Sequence, residues 1–248
     1  MLTQEQVDAF HRDGFLVVRG YCPPEEVLRL ERWTGEVAAL PETPGKWMMY
    51  FESSRQDGSR ILNRLENFVP YHEGFRELVQ GRLQQDVAQL LGEPAVLFKD
   101  KINFKLPGGD GFKAHQDVQA GWDVYASLHL TAMVAVDRAT AENGRLEIVR
   151  GQHQDGLKGT MWEPLTESDL KGMTFEPLDC EPGDAVFFDS FAPHRSDANL
   201  SSEPRRILYV TYNRLSEGDH RERYYADKRK SFPPDCEREA GRIYQFRV

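Results

Sequence analysis

A histidine and an aspartate two positions apart, His115 and Asp117, lie in the stretch GFKAHQDVQAGWD at residues 111–123. An open Fe(II) site usually takes two histidines and one carboxylate on one face of the metal, which leaves the other positions for substrates. Side chains two residues apart in a strand point to the same side, so this pair could supply two ligands at a strand end. The spacing alone does not decide, because His-x-Asp or His-x-Glu occurs four times in the chain.

The other three pairs fit a metal site less well. The pair at residues 11–13 falls in the first predicted helix, where positions i and i+2 do not face each other. The pair His153-x-Asp155 lies in the loop-like stretch RGQHQDG, and the pair at 220–222 lies in a late charged segment. Residues 115 and 117 are therefore the preferred pair.

The third ligand is expected from a distant strand that folds beside the first. His194 is the candidate, because EPGDAVFFDSFAPHRS at 181–196 reads as a turn, an apolar strand and then this histidine at its end. It lies 77 residues (194 − 117) beyond Asp117, enough for several strands to wrap around a barrel and return. His129, in SLHLTAMV, is interpreted instead as a histidine of the core or of a sheet face.

The elements that must position these residues change in type along the chain. Apolar residues at helical spacing, with caps and stops, predict helices at 3–13, 23–40 and 73–91. Short apolar or alternating runs between turn signals predict strands, at 15–21, from 95, at 124–136, 145–149, 173–179, 184–188 and 206–213. This pattern predicts a mainly β protein with peripheral helices around a double-stranded β-helix, or jelly-roll, core.

One domain over residues 1–248 is expected, because the chain shows no repeat and no low-complexity linker. Within it, residues 1–92 are predicted to form a mainly helical layer and a lid segment. Residues 95–213 are predicted to form the jelly-roll core, and residues 214–248 a C-terminal extension. The charged stretch RERYYADKRK at 221–230 is interpreted as a solvated loop or helix face.

The strand that begins at residue 95 is predicted to have one apolar and one polar face. The residues expected on the apolar face are Val96, Phe98, Ile102, Phe104 and Leu106. The residues expected on the polar face are Lys99, Lys101, Asn103 and Lys105.

Composition narrows the class of protein. A formal net charge of −9 argues against a nucleic-acid partner, which would need surplus cations on one face. No apolar run approaches the length of a membrane span, and none reads as a signal peptide. Three widely spaced cysteines without a CxxC pair predict reduced thiols in a cytoplasmic protein.

With these residues in place, the chain resembles the phytanoyl-CoA dioxygenase family of Fe(II)/2-oxoglutarate-dependent oxygenases. The resemblance covers about residues 2–213 and rests on four segments in order: LTQEQVDAFHRDGFLVVRG, FKLPGGDGFKAHQD, VDRATAENGRLEIVRGQH and EPGDAVFFDSFAPHRS. It implies that Fe(II) is held by His115, Asp117 and His194 and that 2-oxoglutarate and dioxygen are cosubstrates. The carboxylate at position 117 then favours hydroxylation over halogenation.

The resemblance also implies a cosubstrate site. An arginine eleven places after the distal histidine binds the far carboxylate of 2-oxoglutarate, and here that residue is Arg205. Ser196 and Asn103 occupy positions that assist, whereas Arg206 is expected on the other sheet face. Met133 stands where many relatives carry a tryptophan, which puts that contact in doubt.

The prime substrate is the least determined feature. The segment at 44–72 is expected to cover the pocket, and RLENF together with FKLPGGDGFKAHQD resembles the organophosphonate-hydroxylating branch. A small charged or zwitterionic substrate such as 2-aminoethylphosphonate is therefore predicted. Arg64 and Lys101 would contact the phosphonate, with Glu66 or Tyr125 near an ammonium group.

Three other functions stay open at this point. The chain could hydroxylate an acyl-CoA or a small natural product, or it could be a cupin-type metalloenzyme that does not use 2-oxoglutarate. It could also be a non-catalytic jelly roll whose histidines are satisfied in the core. Trp122, close to the first two ligands in sequence, is read as an aromatic that closes the pocket or one that only supports the fold.

Overall fold

Eleven strands form two antiparallel sheets in the computed structural model, which describes residues 1–244. The strands are β1 Phe15–Val18, β2 Met48–Ser53, β3 Arg60–Glu66, β4 Ala95–Lys105, β5 Phe112–His115, β6 His129–Ala135, β7 Leu146–Val149, β8 Phe175–Leu178, β9 Ala185–Asp189, β10 His194–Ser196 and β11 Arg205–Arg214. The large sheet has the order β1-β9-β6-β11-β4-β3-β2, and the small sheet β5-β10-β7-β8. The predicted mainly β architecture is confirmed.

Five α-helices lie among the described residues: α1 Gln4–Asp13, α2 Pro24–Ala38, α3 Glu73–Leu78, α4 Gln84–Leu91 and α5 Arg221–Ser231. The predicted capping box of α1 is present, with Thr3 and Gln6 exchanging side-chain and backbone hydrogen bonds. The helix predicted at 73–91 is α3 and α4 joined by a π-helical turn, Val79–Leu83. The turn contains Gly81 at φ −101° and ψ −111°, a non-helical conformation that ends one regular helix and starts the next.

The two faces of the large sheet differ in chemistry. Leu208, Val210 and Tyr212 of β11 point outward into the main apolar core, which includes side chains of the four helices α1 to α4. The alternate residues of β11, such as Ile207 and Tyr209, point inward, toward the small sheet and its residues Leu146 and Ile148. The candidate functional residues of the large sheet lie on this inner face.

The inner face of β4 is polar from Lys99 to Lys105, as its alternation predicts. Before Lys99 the prediction for Val96 and Phe98 is wrong, and Leu97 packs in the main core instead. Register between β4 and β11 shifts between Thr211 and Tyr212, so that Phe98 is an extra residue in β4. Phe98 therefore points to the inner side, where it contacts Trp122 and His129, and not to the apolar face.

The segment at 44–72 is more regular than a covering loop. Its two strands, β2 and β3, pair with each other and extend the large sheet beyond β4. Arg64 pairs in register with Asn103, and Glu66 with Lys101, so their side chains share the inner face of the sheet.

The charged stretch at 221–230 is not a solvated face. It forms α5, which buries Tyr224 and Tyr225 and places two cations on buried acids. Arg221 pairs with Asp100, and Lys228 pairs with Glu66 at 2.6 Å. The interpretation failed because α5 docks through ion pairs rather than through an apolar stripe. Among residues 1–244, no helix is both long and apolar enough to cross a membrane.

Candidate active site

The three predicted metal ligands meet at one end of the small sheet. His115 is the last residue of β5, and His194 is the first residue of β10, which pairs with it in register. The sequence placed His194 at the end of the preceding strand, but β9 ends at Asp189 and a turn precedes β10. Asp117 begins a short 3₁₀ turn after β5, and its Oδ1 lies 3.9 Å from Nε2 of each histidine.

Backbone carbonyls orient both imidazole rings. Nδ1 of His115 lies 2.7 Å from the carbonyl oxygen of Lys113, and Nδ1 of His194 lies 3.0 Å from that of Ala192. A carbonyl accepts but cannot donate, so each Nδ1 carries the proton. Each Nε2 then presents its lone pair toward Asp117, as a metal-binding histidine does.

The environment keeps the three groups in the protonation states that bind a metal. Burial and the neighbouring His194 lower the pKa of His115 to about 3, so its ring is neutral. Burial alone would raise the pKa of Asp117, but His194 and Lys101 outweigh it and hold the pKa below its usual value. Its Oδ2 also accepts a hydrogen bond from Thr131 at 3.2 Å.

This donor set fits Fe(II). Two imidazole nitrogens and one carboxylate oxygen lie within 4.8 Å of one another, and they are the one such cluster of potential ligands found in the described part of the chain. Two histidines and one carboxylate on one side are the ligands of non-haem Fe(II) oxygenases, in which the remaining positions stay open.

Arg205, at the start of β11, is a buried cation with no carboxylate partner among residues 1–244. Its side chain is completely inaccessible to solvent, and within residues 1–244 neither Nε nor Nη1 has a hydrogen-bond acceptor. Its Nη2 reaches only the hydroxyl of Tyr209, at 3.5 Å. Buried charges in proteins are normally paired, so this guanidinium fits a carboxylate that the protein itself does not supply. Arg206 lies on the other face, where it binds Asp137 through Nε and Nη2.

Two further groups border Arg205. Lys105, its register partner on β4, donates to Ser196 Oγ at 2.8 Å and to the carbonyl oxygen of Gly144 at 3.3 Å. Burial and Arg205 lower the pKa of Lys105 to about 6. Asn103, also on the inner face of β4, has a buried Oδ1 without a donor in the described structure. Two of the residues predicted for the cosubstrate, Arg205 and Asn103, therefore have buried polar atoms that a bound ligand could satisfy.

A cavity of about 700 Å³ opens beside the metal ligands. Six of its lining residues come from the predicted set: Arg64, Lys101, His115, Asp117, Trp122 and Tyr125. The helix α5 and the chain after it supply much of the opposite wall, including Tyr224, Asp227, Lys228 and Phe232. None of these was anticipated, since the charged sequence of α5 gives no sign that it faces a cavity.

Five cations among the described residues line this cavity, namely Arg64, Lys99, Lys101, Lys228 and Arg242, together with the two carboxylates Asp117 and Asp227. Three of them surround Glu66, which is completely buried: Lys228 binds both carboxylate oxygens at 2.7 and 2.6 Å, Arg64 lies at 3.2 Å and Lys99 at 3.7 Å. These cations hold the pKa of Glu66 well below its usual value although burial alone would raise it.

Glu66 is thus paired with three of these cations, and Lys101 lies outside the Glu66 cluster. Burial and the nearby Lys99 lower the pKa of Lys101 to about 8, and its Nζ lies 4.9 Å from the ring centre of Tyr209. The wall therefore carries an excess of positive charge. Glu66 is bonded to Lys228 and is not itself part of the cavity lining, so its predicted contact with a substrate ammonium stays a prediction.

The aromatic side of the cavity holds the other predicted substrate residues. Trp122 is buried and packs on Phe98, with Nζ of Lys99 5.5 Å from its ring centre. The hydroxyl of Tyr125 donates to Asp227 of α5 at 2.9 Å. This wall offers aromatic rings and one carboxylate.

The histidines that the spacing argument set aside lie elsewhere. The side chain of His153 contacts the C-terminal end of α1, with Nε2 3.2 Å from the carbonyl oxygen of His11. Asp155 pairs with Lys158. His129 is buried next to Phe98, as expected of a core histidine.

Comparison with known proteins agrees with this geometry. A sequence model of the family described as phytanoyl-CoA dioxygenase matches residues 10–207. The 2-aminoethylphosphonate dioxygenase of an uncultured bacterium is 42% identical, over 98% of this chain and 93% of its own length. The methylphosphonate hydroxylase of Gimesia maris is also 42% identical, over 93% of this chain and 88% of its own.

Solved structures share the fold at lower identity. The ectoine dioxygenase EctD from S. alaskensis, with 2-oxoglutarate and 5-hydroxyectoine, superposes with a TM-score of 0.73 at 23% identity, over 87% of this chain and 77% of EctD. The epimerase SnoN, in complex with Fe³⁺ and α-ketoglutarate, gives a TM-score of 0.74 at 20% identity, over 98% and 96%. These likenesses confirm the predicted jelly-roll core.

Proposed function

The chain belongs to the phytanoyl-CoA dioxygenase family, and from that premise we propose that it is an Fe(II)- and 2-oxoglutarate-dependent hydroxylase of a small organophosphonate. The observation that carries the substrate class is the excess of cations in the cavity wall beside the metal ligands. Both relatives that are 42% identical are named for phosphonates. The overall reaction inserts one oxygen atom of O₂ into a C–H bond, and 2-oxoglutarate becomes succinate and CO₂.

His115, Asp117 and His194 would hold the metal, and Arg205, Ser196 and Asn103 the cosubstrate. Bound Fe(II) and 2-oxoglutarate together supply the oxidant that removes hydrogen from an unactivated carbon. The chain's contribution is to fix the two imidazoles through their Nδ1 contacts and to place Arg205 where a carboxylate satisfies its buried nitrogens. A preorganised guanidinium fork suits a planar carboxylate.

The phosphonate would be bound by Lys101 with Arg64 and Lys99. A phosphonate carries up to two negative charges, so a cavity lined by five cations and two acids, one of them the metal ligand Asp117, matches it better than a neutral pocket would. Lys101 and the metal ligand Asp117 line the same cavity, so a phosphonate held by Lys101 would have its first carbon closest to the metal. The carbon bonded to phosphorus is therefore the proposed site of oxidation.

The opposite wall fits an ammonium group. Asp227 supplies a carboxylate, and the rings of Trp122, Tyr125 and Tyr224 offer faces that attract cations. A zwitterion such as 2-aminoethylphosphonate could then lie between the two walls. In this arrangement Tyr125 acts through its hydrogen bond to Asp227, and Glu66 organises the cations rather than touching the substrate.

The test is product formation by the Fe(II)-loaded protein with 2-oxoglutarate and oxygen. Succinate and the hydroxylated phosphonate would be measured together, the latter by ³¹P NMR, with 2-aminoethylphosphonate and methylphosphonate as substrates. A carboxylate analogue, β-alanine, and a fatty acyl-CoA serve as comparators. Stimulation by phosphonates alone supports the proposal, whereas stimulation by the acyl-CoA alone would refute it.

A pair of variants tests the cation wall. Lys101→Gln should raise the KM for the phosphonate by about tenfold or more, since a charge-assisted contact contributes about 1.5–3 kcal/mol. The KM for 2-oxoglutarate should change little. Lys171→Gln, an exposed lysine outside the cavity lining, is the control and should leave both values unchanged.

A cytoplasmic location is inferred from the thiols and the metal. All three cysteines are unpaired, including the exposed Cys236, which suits a reducing compartment. Ferrous iron is likewise kept reduced there. Signal from a fusion of the full chain in the periplasm, with none in the cytoplasm, would contradict the inference.

A further inference from the structure

Trp162 has a backbone conformation that a large side chain rarely adopts. Its φ is +69°, in the left-handed region, which costs a residue with a Cβ about 1 kcal/mol or more. Its side chain is nevertheless 46% exposed, so burial of the indole in a core does not explain the conformation. A strained and exposed aromatic residue points to a role outside folding.

The indole of Trp162 lies over Gly121, four residues after Asp117. A Cβ built at Gly121 would come within 2.2 Å of the indole ring, so only glycine leaves room for it. Gly121 itself has φ +74°, which also favours glycine. The turn that carries the metal ligand Asp117 thus leaves space at Gly121 for the indole of Trp162.

Two glutamines of that turn fasten the loop on which Trp162 lies. The side-chain amide of Gln119 donates to the backbone carbonyl oxygens of Thr160 at 2.8 Å and Glu163 at 2.7 Å. The backbone carbonyl oxygen of Gln119 accepts a hydrogen bond from the Trp162 amide at 2.8 Å. Gln116 accepts from the Lys158 amide at 2.6 Å. The position of Trp162 is therefore coupled to the backbone beside Asp117.

Trp162 stands between two cavities that meet at the metal site. One is the 700 Å³ cavity described above, and the other, of about 780 Å³, lies toward β2 and β3 and is lined by Asn63, Glu52 and Lys113 among others. Trp162, His115 and Arg64 line both. The indole thus forms part of the wall that separates the substrate cavity from this second space.

We propose that Trp162 is a substrate-positioning residue: its indole closes the substrate cavity on the side of the second cavity and holds the phosphonate against the metal centre. This inference rests on the proposed function. Without the indole, a small substrate would have a continuous space to occupy, and water would have a second route to the metal. Consumption of 2-oxoglutarate would then become partly uncoupled from hydroxylation.

The test uses Trp162→Gly, because glycine accepts φ +69° without strain. The KM for the phosphonate should rise about tenfold, the effect expected from the loss of one well-placed aromatic contact. The ratio of succinate to hydroxylated phosphonate should rise above one, whereas the KM for 2-oxoglutarate and the iron content stay at the wild-type values. The melting temperature should not fall, since the substitution relieves strain.

Leu157→Ala is the matched control. Leu157 is on the same loop, is 42% exposed and lines neither cavity, so this variant should stay coupled. A Trp162→Gly variant that loses melting temperature but remains fully coupled would show that the indole only stabilises the fold, and the inference would be wrong. A wild-type protein that hydroxylates no phosphonate would overturn the proposed function itself, a separate outcome that is read before any variant is compared.

Discussion

Replacement of Arg205 by methionine should have opposite effects on the free and the ligand-bound protein. In the free protein the guanidinium is completely buried, two of its nitrogens lack acceptors within residues 1–244, and its neighbour across the strands is Lys105, which offers it no negative charge. A buried charge without a partner is destabilising, and an apolar side chain of similar volume removes that cost. Arg205→Met should therefore raise the free energy of unfolding by about 1 kcal/mol or more.

With 2-oxoglutarate bound, the wild type should be more stable than Arg205→Met. Loss of a buried charge-assisted contact costs about 2–5 kcal/mol, so affinity for 2-oxoglutarate should fall roughly 30- to 5000-fold. Wild-type protein at a 2-oxoglutarate concentration of 100 Kd gains about 2.7 kcal/mol of stability, and the variant at that concentration should gain at most about 0.9 kcal/mol. Urea unfolding of the protein with and without 2-oxoglutarate, in the presence of a redox-inert divalent metal, measures both quantities in one experiment.

Arg206→Met is the control, because Arg206 is the next residue but binds Asp137 on the outer face. It should lose a little stability and keep its affinity for 2-oxoglutarate. If Arg205→Met binds 2-oxoglutarate as tightly as the wild type, or if it is Arg206→Met that loses the affinity, the assignment of the cosubstrate site is refuted. A fall in stability of ligand-free Arg205→Met would show instead that the guanidinium has a structural partner.

Three other outcomes are expected. Alanine in place of any one of the three metal ligands should abolish stoichiometric iron binding, whereas His153→Ala should retain it; metal analysis after desalting distinguishes the two, and the reverse result would move the site to the second His-Gln-Asp. Asp227→Asn should lower kcat/KM for 2-aminoethylphosphonate about tenfold, because one partly exposed charge contact is lost, and should leave kcat/KM for methylphosphonate unchanged. Glu222→Gln, on the same helix, is the control. Equal losses on both substrates would exclude an ammonium contact. Burial lowers the pKa of His129 from 6.5 to about 3, so below pH 6.5 this histidine is protonated in the unfolded chain but not in the native one. The free energy of unfolding of the metal-free protein should therefore fall as the pH drops toward 3. A His129→Gln variant with the same pH dependence as the wild type in urea titrations would contradict this.

The metal centre was accessible from the sequence because few residue types can form it. His115 and Asp117 are two positions apart beside glycines that bend the chain, and His194 follows an apolar run, so the site reduces to short, local patterns. The assignment of roles to individual residues stays a prediction, as does a single domain over residues 1–248. The alternation in β4 also predicted which cations share the inner face, apart from the bulge at Phe98.

The far wall of the cavity could not be predicted in the same way. Helix α5 contacts the sheet through Lys228 on Glu66 and Arg221 on Asp100, pairs separated by more than 100 residues in sequence. A charged helix that is held by ion pairs has the same composition as one that faces solvent, and only the folded partner distinguishes them. The role of Trp162 was equally hidden, since its distinctive feature is a backbone angle.

The cavity and the rest of the molecule carry charge of opposite sign, because several cations lie on the inner face of the sheet. The chain as a whole carries −9, and the cavity lining has more cations than acids, so the charge outside the cavity is net negative. At physiological ionic strength repulsion from exposed charges fades over about 8 Å, whereas charges enclosed by protein are screened much less. An approaching dianion is thus repelled at a distance and attracted only within the cavity. Added salt should accordingly speed the arrival of the substrate while weakening its retention only slightly, the reverse of what an enzyme with a basic surface would show.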